Sequence, residues 1–360
     1  MNKLKVGIIG CGGIANGKHM PSIQAAGFAD MVAFCDIIPE RAKESAEKFG
    51  VKGAKVFEDF NEMLKLDLDA VHVCTPNSSH APITIAALNA GCHVLCEKPM
   101  AMNYAEATAM CDAAKKNGKA LTIGYQRRQF KASQYLKKLI DEGDLGDIYF
   151  AKAPALRRRG VPTWGVFLDE EKQGGGPLID IGTHVLDLTL WFMDNYQPET
   201  VCGSVYRKLA DTKNAANEWG PWDPAQYTVE DSAFGYIKMK NGATIMLETS
   251  WAINRLDGLD DLPILAGTKA GADYIGRELR INGERNSQLY VTKPSFASGG
   301  VAFYGAPPYS PELEEAKTFY NHIINGTPLC VLPQQAAVVT LILETIYKSA
   351  RENRPITLDV

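Results

Sequence analysis

The first 125 residues alternate short apolar runs with helix-like stretches, and this alternation restricts the fold more than any other feature of the chain. The apolar runs hold five or six residues each, as expected of parallel strands that helices cover on both faces. Repeated βα units of this size predict a doubly wound parallel sheet. The predicted strands are 5–10, 31–36, 70–75, 93–97 and 121–125, and the predicted helices are about 14–26, 39–49, 58–65, 78–90 and 103–118.

The pattern changes after residue 125. A helix and a long strand come first, at about 132–143 and 148–156, and a Gly-rich break then precedes an apolar helix at about 177–193. Residues 199–302 alternate with the period of strands, and Asn241-Gly242 predicts a type I′ hairpin. Two helices follow, at about 311–325 and 334–352. This second half predicts an antiparallel or mixed sheet with a helix on one face.

The length of 360 residues exceeds what one core usually supports. We therefore predict an NAD-binding domain over 1–125 and a substrate-binding and oligomerisation domain over 126–360. The option stays open that the C-terminal helices pack back on the first domain.

Charge and composition narrow the function. A net charge of −4 argues against nucleic-acid binding, and no run of about 18 apolar residues predicts a membrane span. The N-terminus enters a strand without a cleavable signal pattern. The eight cysteines are scattered without a Cys-x-x-Cys pair, so we expect a reduced cytoplasmic protein with no metal.

The stretch "VGIIGCGGIANGKHM" places Gly10, Gly12 and Ala15 between the first strand and a helix. Glycines allow a tight turn and close backbone approach to a pyrophosphate, and the helix N-terminus favours the phosphates. The second strand ends in Asp36, where a carboxylate can accept hydrogen bonds from a ribose. This context predicts NAD binding. Arg41 keeps NADP as the less favoured alternative, and a tight turn without a ligand is the plain alternative.

A Glu97-Lys98-Pro99 corner ends the strand at 93–97. Ligands of open α/β sheets bind beyond the carboxyl ends of the strands, so Lys98 is expected at the cofactor crevice. Taken without that context, the pair would be a surface ion pair on a loop.

The segment "GGGPLIDIGTHVLDL" begins a helix that carries Asp180 and His184 four residues apart, on one face. A polar pair on an otherwise apolar helix needs a reason, because uncompensated polar groups are costly to bury. A structural hydrogen bond or half a metal site are the alternatives to a catalytic pair.

In this order, the glycine loop, the strand-ending Asp36, "CTPNSSH", "CEKP", "GYQRR" and "DIGTH" resemble the glucose–fructose oxidoreductase/inositol dehydrogenase (Gfo/Idh/MocA) family over essentially the whole chain. The resemblance implies a Rossmann domain followed by an α/β domain with a large, mostly antiparallel sheet. That sheet commonly forms the subunit interface, so a homo-oligomer is expected, as a dimer, tetramer or higher form. Two departures stand out: Ala15 replaces the third glycine, and Gln126 stands where Asn is frequent.

The resemblance also implies site residues. Lys98, Asp180 and His184 match the catalytic lysine and the catalytic pair. The residues expected to bind the cofactor are Gly10, Gly12, Gly13, Ile14, Ala15, Asp36, Ile37, Thr75, Pro76, Asn77, His80, Glu97, Lys98 and Gln126. The residues expected to meet the substrate are Lys98, Arg127, Arg158, Trp164, Asp180 and His184.

Oxidation of a secondary alcohol needs a base and a hydride acceptor. His184 is the natural base, because the ordinary pKa of histidine is near neutrality. Asp180 would orient the hydroxyl, and Lys98 would stabilise developing alkoxide charge. Trp164 beside polar groups suits stacking on a sugar ring or an aglycone, which favours a cyclic sugar, a polyol or a glycoside, with C3 of a glucoside as one option. The arginines around it are equally consistent with binding cofactor phosphates or a neighbouring subunit. Inositol oxidation, ketosugar reduction and a non-catalytic NAD(H) sensor are the alternatives.

Overall fold

The computed structural model describes residues 3–256, 262–276, 278–296 and 309–359. The chain divides into two compact units. The first comprises Met1–Gln129 and Ala302–Ala337, and the second comprises Phe130–Val301 and Val338–Val360.

The first unit contains a six-stranded parallel sheet with the strand order β3-β2-β1-β4-β5-β6. The strands β1, β4, β5 and β6 are buried over almost their full length, as strands covered by helices on both faces must be. The strands are β1 Leu4–Ile9, β2 Ala29–Cys35, β3 Lys55–Phe57, β4 Ala70–Val73, β5 His93–Cys96 and β6 Leu121–Ile123. The helices are α1 Met20–Ala26, α2 Pro39–Phe49, α3 Phe60–Met63, α4 His80–Asn89 and α5 Tyr104–Asn117.

This order reverses direction between β1 and β4, which are hydrogen-bonded neighbours. The loops after β1, β4 and β5 therefore meet at the carboxyl edge of the sheet, where doubly wound folds bind their ligands. The predicted doubly wound fold is confirmed. The sequence pattern missed β3, a three-residue edge strand with little buried surface.

The second unit contains a nine-stranded mixed sheet with the order β14-β13-β12-β11-β7-β10-β9-β8-β15. All of its pairings are antiparallel except the one between β7 and β10. The strands are β7 Ile148–Leu156, β8 Pro198–Tyr206, β9 Ser232–Met239, β10 Thr244–Ser250, β11 Ile264–Gly267, β12 Ala270–Ile275, β13 Glu278–Arg285, β14 Gln288–Thr292 and β15 Ile356–Thr357.

Five helices complete the described chain: α6 Lys131–Asp141, α7 Glu170–Gln173, α8 Thr183–Met193, α9 Pro311–Asn325 and α10 Pro333–Glu352. The helix α8 is almost wholly buried, which agrees with its apolar sequence. The α/β class of this half, with its mostly antiparallel sheet, is confirmed. Parts of the predicted β region, at 257–261 and 297–302, lie outside the described residues, and 207–231 is loop rather than strand.

The hairpin predicted at Asn241-Gly242 joins β9 to β10, but its predicted turn type is wrong. A type I′ turn needs positive φ at both central residues. Here Gly242 has φ 88°, whereas the φ of Asn241 is not positive. Gly242 N–H donates to Met239 O and Met239 N–H donates to Ala243 O. The loop therefore has one residue more than a two-residue hairpin, and Gly242 takes the left-handed conformation at its end.

Candidate functional site

The glycine loop follows β1 and requires glycine at its first position. Gly10 has φ 87°, and a Cβ there would come within 2.5 Å of the Cys74 carbonyl oxygen. A Cβ on Gly12 or Gly13 would meet nothing within 4 Å. Open space in front of both backbones leaves room for a phosphate group to approach, and buried Ala15 packs the start of the helix against the sheet.

Asp36 follows β2 and faces this loop. Its carboxylate accepts hydrogen bonds from the backbone N–H of Cys11 at 2.8 Å and of Ile38 at 2.9 Å. Asp36 is buried, whereas the neighbouring Ile37 is 89% exposed. The carboxylate thus fixes the loop and keeps further lone pairs for a ribose hydroxyl.

Asn16 braces the same loop, and sequence reasoning missed it. Its side-chain amide donates to the carbonyl oxygens of Cys11 at 2.8 Å and Gly12 at 3.2 Å. The residue sits in a π-helical turn, Ala15–His19, which precedes α1. Turns of this kind occur often at functional sites.

The loop after β4 carries Thr75, Pro76 and Asn77 and leads into α4, which begins at His80. His80 is fully buried, and its two ring nitrogens lie 2.7 Å from the Pro99 carbonyl oxygen and 2.9 Å from that of Thr75. Burial lowers the pKa of His80, while the two carbonyl oxygens oppose that shift. His80 therefore ties the loop after β4 to the corner after β5.

That corner centres on Glu97, which is buried and accepts three hydrogen bonds. Glu97 Oε1 lies 2.8 Å from His19 Nε2 and 3.1 Å from Gln126 Nε2, and Oε2 accepts from Lys98 N–H at 3.1 Å. The Lys98-Pro99 peptide bond is cis, and Lys98 is half-buried. Glu97 therefore holds the backbone of the lysine that the sequence singles out.

A polar chain continues behind Glu97. His19 Nδ1 lies 3.0 Å from His72 Nδ1, and His72 Nε2 lies 2.8 Å from the Tyr320 hydroxyl. Burial would raise the pKa of Glu97, but the His19 imidazole and the charge of Lys98 hold that pKa at about 2. Burial and His19 keep the pKa of His72 well below its ordinary value. We refer to Glu97, His19, Gln126, His72 and Tyr320 as the Glu97 cluster.

A second buried carboxyl group, Glu315 on α9, lies near this cluster. Burial and the negative charge of Glu97 raise its pKa well above the ordinary value, against a hydrogen bond from Gln126. In the first unit, the pKa values of two neighbouring buried carboxyl groups are thus shifted in opposite directions.

In the second unit, Asp180 and His184 share one helical segment. Asp180 lies in a π-helical turn, Leu178–Gly182, and His184 lies in the first turn of α8. Trp251 follows β10 and donates its indole N–H to Asp180 Oδ2 at 3.2 Å. Trp251 is fully buried, and nothing local in the sequence linked it to Asp180.

Trp164 lines an open cavity of about 630 Å³ together with acidic and amide side chains. Its ring contacts Phe167, with 5.9 Å between the ring centroids, and Phe167 contacts Trp251 at 6.4 Å. An edge-to-face series of rings thus runs from this cavity to the tryptophan that binds Asp180. Arg158 is exposed on the loop after β7.

The structure brings the predicted residues together in two groups. The first unit holds the residues expected to bind the cofactor, together with Lys98 and Arg127; the second holds Asp180, His184, Trp164 and Arg158. Among the described residues, no group of three or more His, Cys, Asp or Glu side chains is arranged to hold a metal ion. Within the same ranges, no helix is long and apolar enough to cross a membrane.

A doubly wound sheet with an open glycine loop and a carboxylate after its second strand defines a dinucleotide-binding α/β protein. Comparison with known proteins makes this specific. Residues 4–125 match the oxidoreductase family with an NAD-binding Rossmann fold, and residues 133–285 match the Gfo/Idh/MocA C-terminal domain. The chain belongs to the Gfo/Idh/MocA oxidoreductase family.

The chain is similar to several relatives over its full length. It is 36% identical to the D-glucoside 3-dehydrogenase of Escherichia coli, over 99% of this chain and 97% of the other. It is 26% identical to the myo-inositol 2-dehydrogenase of Thermotoga maritima, over 99% of both. Levoglucosan dehydrogenase in complex with NADH has the same fold, with a TM-score of 0.83, 24% identity and 99% coverage of both chains.

Proposed function

We propose that this protein is a dehydrogenase that uses NAD to oxidise a secondary ring hydroxyl of a sugar or glycoside to a ketone, with C3 of a D-glucoside as the first candidate. The observation that carries this proposal is the 36% identity to D-glucoside 3-dehydrogenase over 99% of the chain. The Asp180–Trp251 contact supports it, because it gives Asp180 a fixed orientation on a helix that also carries a histidine.

Each catalytic candidate has a role that its chemistry suits. His184 takes the hydroxyl proton as the general base. Asp180 accepts a hydrogen bond from the substrate and, through Trp251, keeps its direction. Lys98 places a positive charge where alkoxide character develops, which favours the transition state over the neutral alcohol. When NAD is bound, its nicotinamide supplies the hydride acceptor.

The residues of the first unit suit NAD better than NADP. The open backbone at Gly12 and Gly13 can accept the pyrophosphate, and Asp36 can accept hydrogen bonds from the ribose. A 2′-phosphate would meet the negative charge of Asp36. Thr75, Pro76, Asn77 and Gln126 complete the residues that we assign to cofactor binding.

The cavity beside Trp164 suits the part of a glycoside that is not oxidised. A broad, partly exposed indole offers an apolar face to a sugar ring or an aglycone, and polar side chains around it can bind hydroxyl groups. Replacement of Trp164 by alanine should therefore raise KM more for a large aryl glucoside than for free glucose.

The test is a substrate panel of glucose, methyl and aryl glucosides, glucose 6-phosphate and myo-inositol, read as NADH or NADPH formation. Product analysis by NMR locates the ketone. His184→Ala should lower kcat at least about 10³-fold and Lys98→Met about 10²-fold or more. His322→Ala and Lys116→Met are the matched controls, because both residues lie outside the candidate sites. Equal turnover by His184→Ala and wild type would exclude His184 as the base.

Inositol oxidation is the second candidate, because the full-length similarity to myo-inositol 2-dehydrogenase favours it. Preferential turnover of myo-inositol over every glucoside in the panel would replace the first candidate. Ketosugar reduction would be detected as consumption of NADH when a ketosugar is the substrate. Tight NADH binding without turnover of any substrate would favour a sensor.

We also propose that the protein is a homo-oligomer that assembles through the nine-stranded sheet. The register sets Tyr236, Met246, Lys152 and Ile264 in one row across β9, β10, β7 and β11. Three of these side chains are apolar or aromatic and at least 36% exposed, which is a costly surface to leave in water. Light scattering after size-exclusion chromatography should show a dimer or a higher form. Met246→Lys should lower the molar mass of the particle measured in this way.

A further inference from the structure

The helix that carries Asp180 and His184 begins on a buried carboxylate from a distant part of the chain. Glu230 Oε2 accepts a hydrogen bond from Gly176 N–H at 2.8 Å, and Oε1 accepts from Leu178 N–H at 3.1 Å. Between these two donors stands Pro177, which has no N–H. Glu230 therefore satisfies the first free donors of this helix, although it lies 52 and 54 residues away in sequence.

A third donor completes the arrangement. The hydroxyl of Tyr347, on α10, donates to Glu230 Oε1 at 2.9 Å. A Cβ on Gly175 would overlap that hydroxyl, and one on Gly176 would overlap the Glu230 carbonyl oxygen. The glycines before the helix are thus required by the close approach of Glu230 and Tyr347. We refer to Glu230, Tyr347 and the amides of Gly176 and Leu178 as the Glu230 clamp.

We propose that Glu230 is a positioning residue, whose carboxylate fixes the first turn of the helix so that Asp180 and His184 keep a single orientation. The inference rests on the proposed function insofar as those two side chains act on a sugar.

The geometry explains why such a clamp matters here. The turn that holds Asp180 is π-helical, and π and α turns of the same segment differ in the angle between successive side chains. A loosened start would let the turn convert, which would rotate Asp180 relative to His184. Misplacement of a catalytic group by about 1 Å can cost on the order of 10²-fold in rate.

The use of a distant carboxyl group at the start of the helix also indicates a positioning role. A local serine or asparagine could cap the helix without burying an ionisable group. One carboxylate instead binds two backbone donors and one hydroxyl together, which fixes the direction of the helix as well as its first turn. Buried ionisable groups retained in this manner can serve orientation at a cost in stability.

The adjacent residue supplies a matched control. Asp231 is also buried, and its Oδ2 accepts hydrogen bonds from Leu209 N–H at 2.5 Å and Ala210 N–H at 3.1 Å. It therefore holds two backbone amides of a loop that carries neither Asp180 nor His184. Glu230→Gln and Asp231→Asn remove the same chemistry from neighbouring positions.

The experiment measures turnover, NADH affinity, melting temperature and amide hydrogen exchange for both variants and the wild type. Glu230→Gln should lower kcat on the best substrate 10- to 100-fold, leave the Kd of NADH within twofold, and speed exchange at 176–184. Asp231→Asn should keep kcat within threefold, even with a similar fall in melting temperature, and speed exchange at 207–212. Tyr347→Phe removes one donor and should lower kcat about two- to fivefold, which tests the clamp if Glu230→Gln fails to fold.

Two outcomes would overturn the inference. One is a loss of kcat in Asp231→Asn as large as in Glu230→Gln, which would mean that Glu230 stabilises the fold without positioning Asp180 and His184. The other is unchanged exchange at 176–184 in Glu230→Gln. If the wild type oxidises no sugar, the proposed function fails, and the exchange data still decide whether Glu230 holds the helix.

Discussion

Glu97 in the first unit and Glu230 in the second are both buried, and each accepts three hydrogen bonds. Burial raises the pKa of Glu230 to about 7, although the two backbone amides and the hydroxyl that donate to it oppose the shift. Burial acts on Glu97 as well, yet the His19 imidazole and Lys98 hold its pKa at about 2. The nature of the partners, and not the number of hydrogen bonds, separates the pKa values of these two buried carboxyl groups.

The two carboxylates should therefore act oppositely on stability. Glu97 binds its proton more weakly in the folded chain than in the unfolded one, so its contribution is present above about pH 4.5 and is lost as the pH falls towards 2. Glu230 binds its proton more tightly when folded. Its contribution is present below about pH 4.5 and is lost as the pH rises towards 7.

The largest effect is expected from Glu97→Gln. This change removes a buried carboxylate whose lowered pKa corresponds to about 3 kcal/mol of stability at pH 7. It also removes the carboxylate that accepts from Lys98 N–H, so kcat should fall by about 10²-fold or more. Chemical denaturation and steady-state kinetics at pH 7 measure both. A loss below about 1 kcal/mol would mean that the fold does not stabilise the ionised form of Glu97.

Next in size is the pH dependence of the two glutamine variants, measured by denaturation between pH 2 and pH 8. The stability of the wild type minus that of Glu97→Gln should increase between about pH 2 and 4.5. The same difference for Glu230→Gln should decrease between about pH 4.5 and 7. Each change spans about 3 kcal/mol, from the shifted pKa values. Subtraction cancels the other titrating groups, and slopes of the same sign would contradict the comparison.

The same comparison shows what a sequence can and cannot reveal. The glycine loop, Asp36 and the helix with Asp180 and His184 were predicted because each depends on neighbouring residues and on the strand or helix period. The Glu97 cluster joins residues up to 248 positions apart, and the Glu230 clamp joins residues 117 apart. Such contacts leave no periodic pattern in the sequence. Roles could therefore be assigned only from the fold to His19, Trp251, Glu230 and Tyr347.

A smaller effect is expected from Tyr347→Phe on the free energy of unfolding. It removes one neutral hydrogen bond to Glu230, which contributes about 1 kcal/mol. Loss of that donor should also raise the pKa of Glu230 further, because the hydroxyl stabilises the ionised form. When both proteins also carry Tyr347→Phe, the difference in the free energy of unfolding with and without Glu230→Gln should therefore continue to change up to a higher pH. Tyr320→Phe, which removes a hydroxyl from the Glu97 cluster, should leave that pH unchanged.

The smallest effect is expected from Glu315→Gln. Burial and the charge of Glu97 raise the pKa of Glu315 well above its ordinary value, so the fold favours the neutral form of this carboxyl group. A neutral amide of nearly the same shape should change the free energy of unfolding by less than about 1 kcal/mol. The same Glu→Gln change therefore compares two buried carboxyl groups of one unit, whose pKa values are shifted in opposite directions. A cost near that of Glu97→Gln would show that Glu315 carries a charge, and that two buried negative charges share this part of the fold.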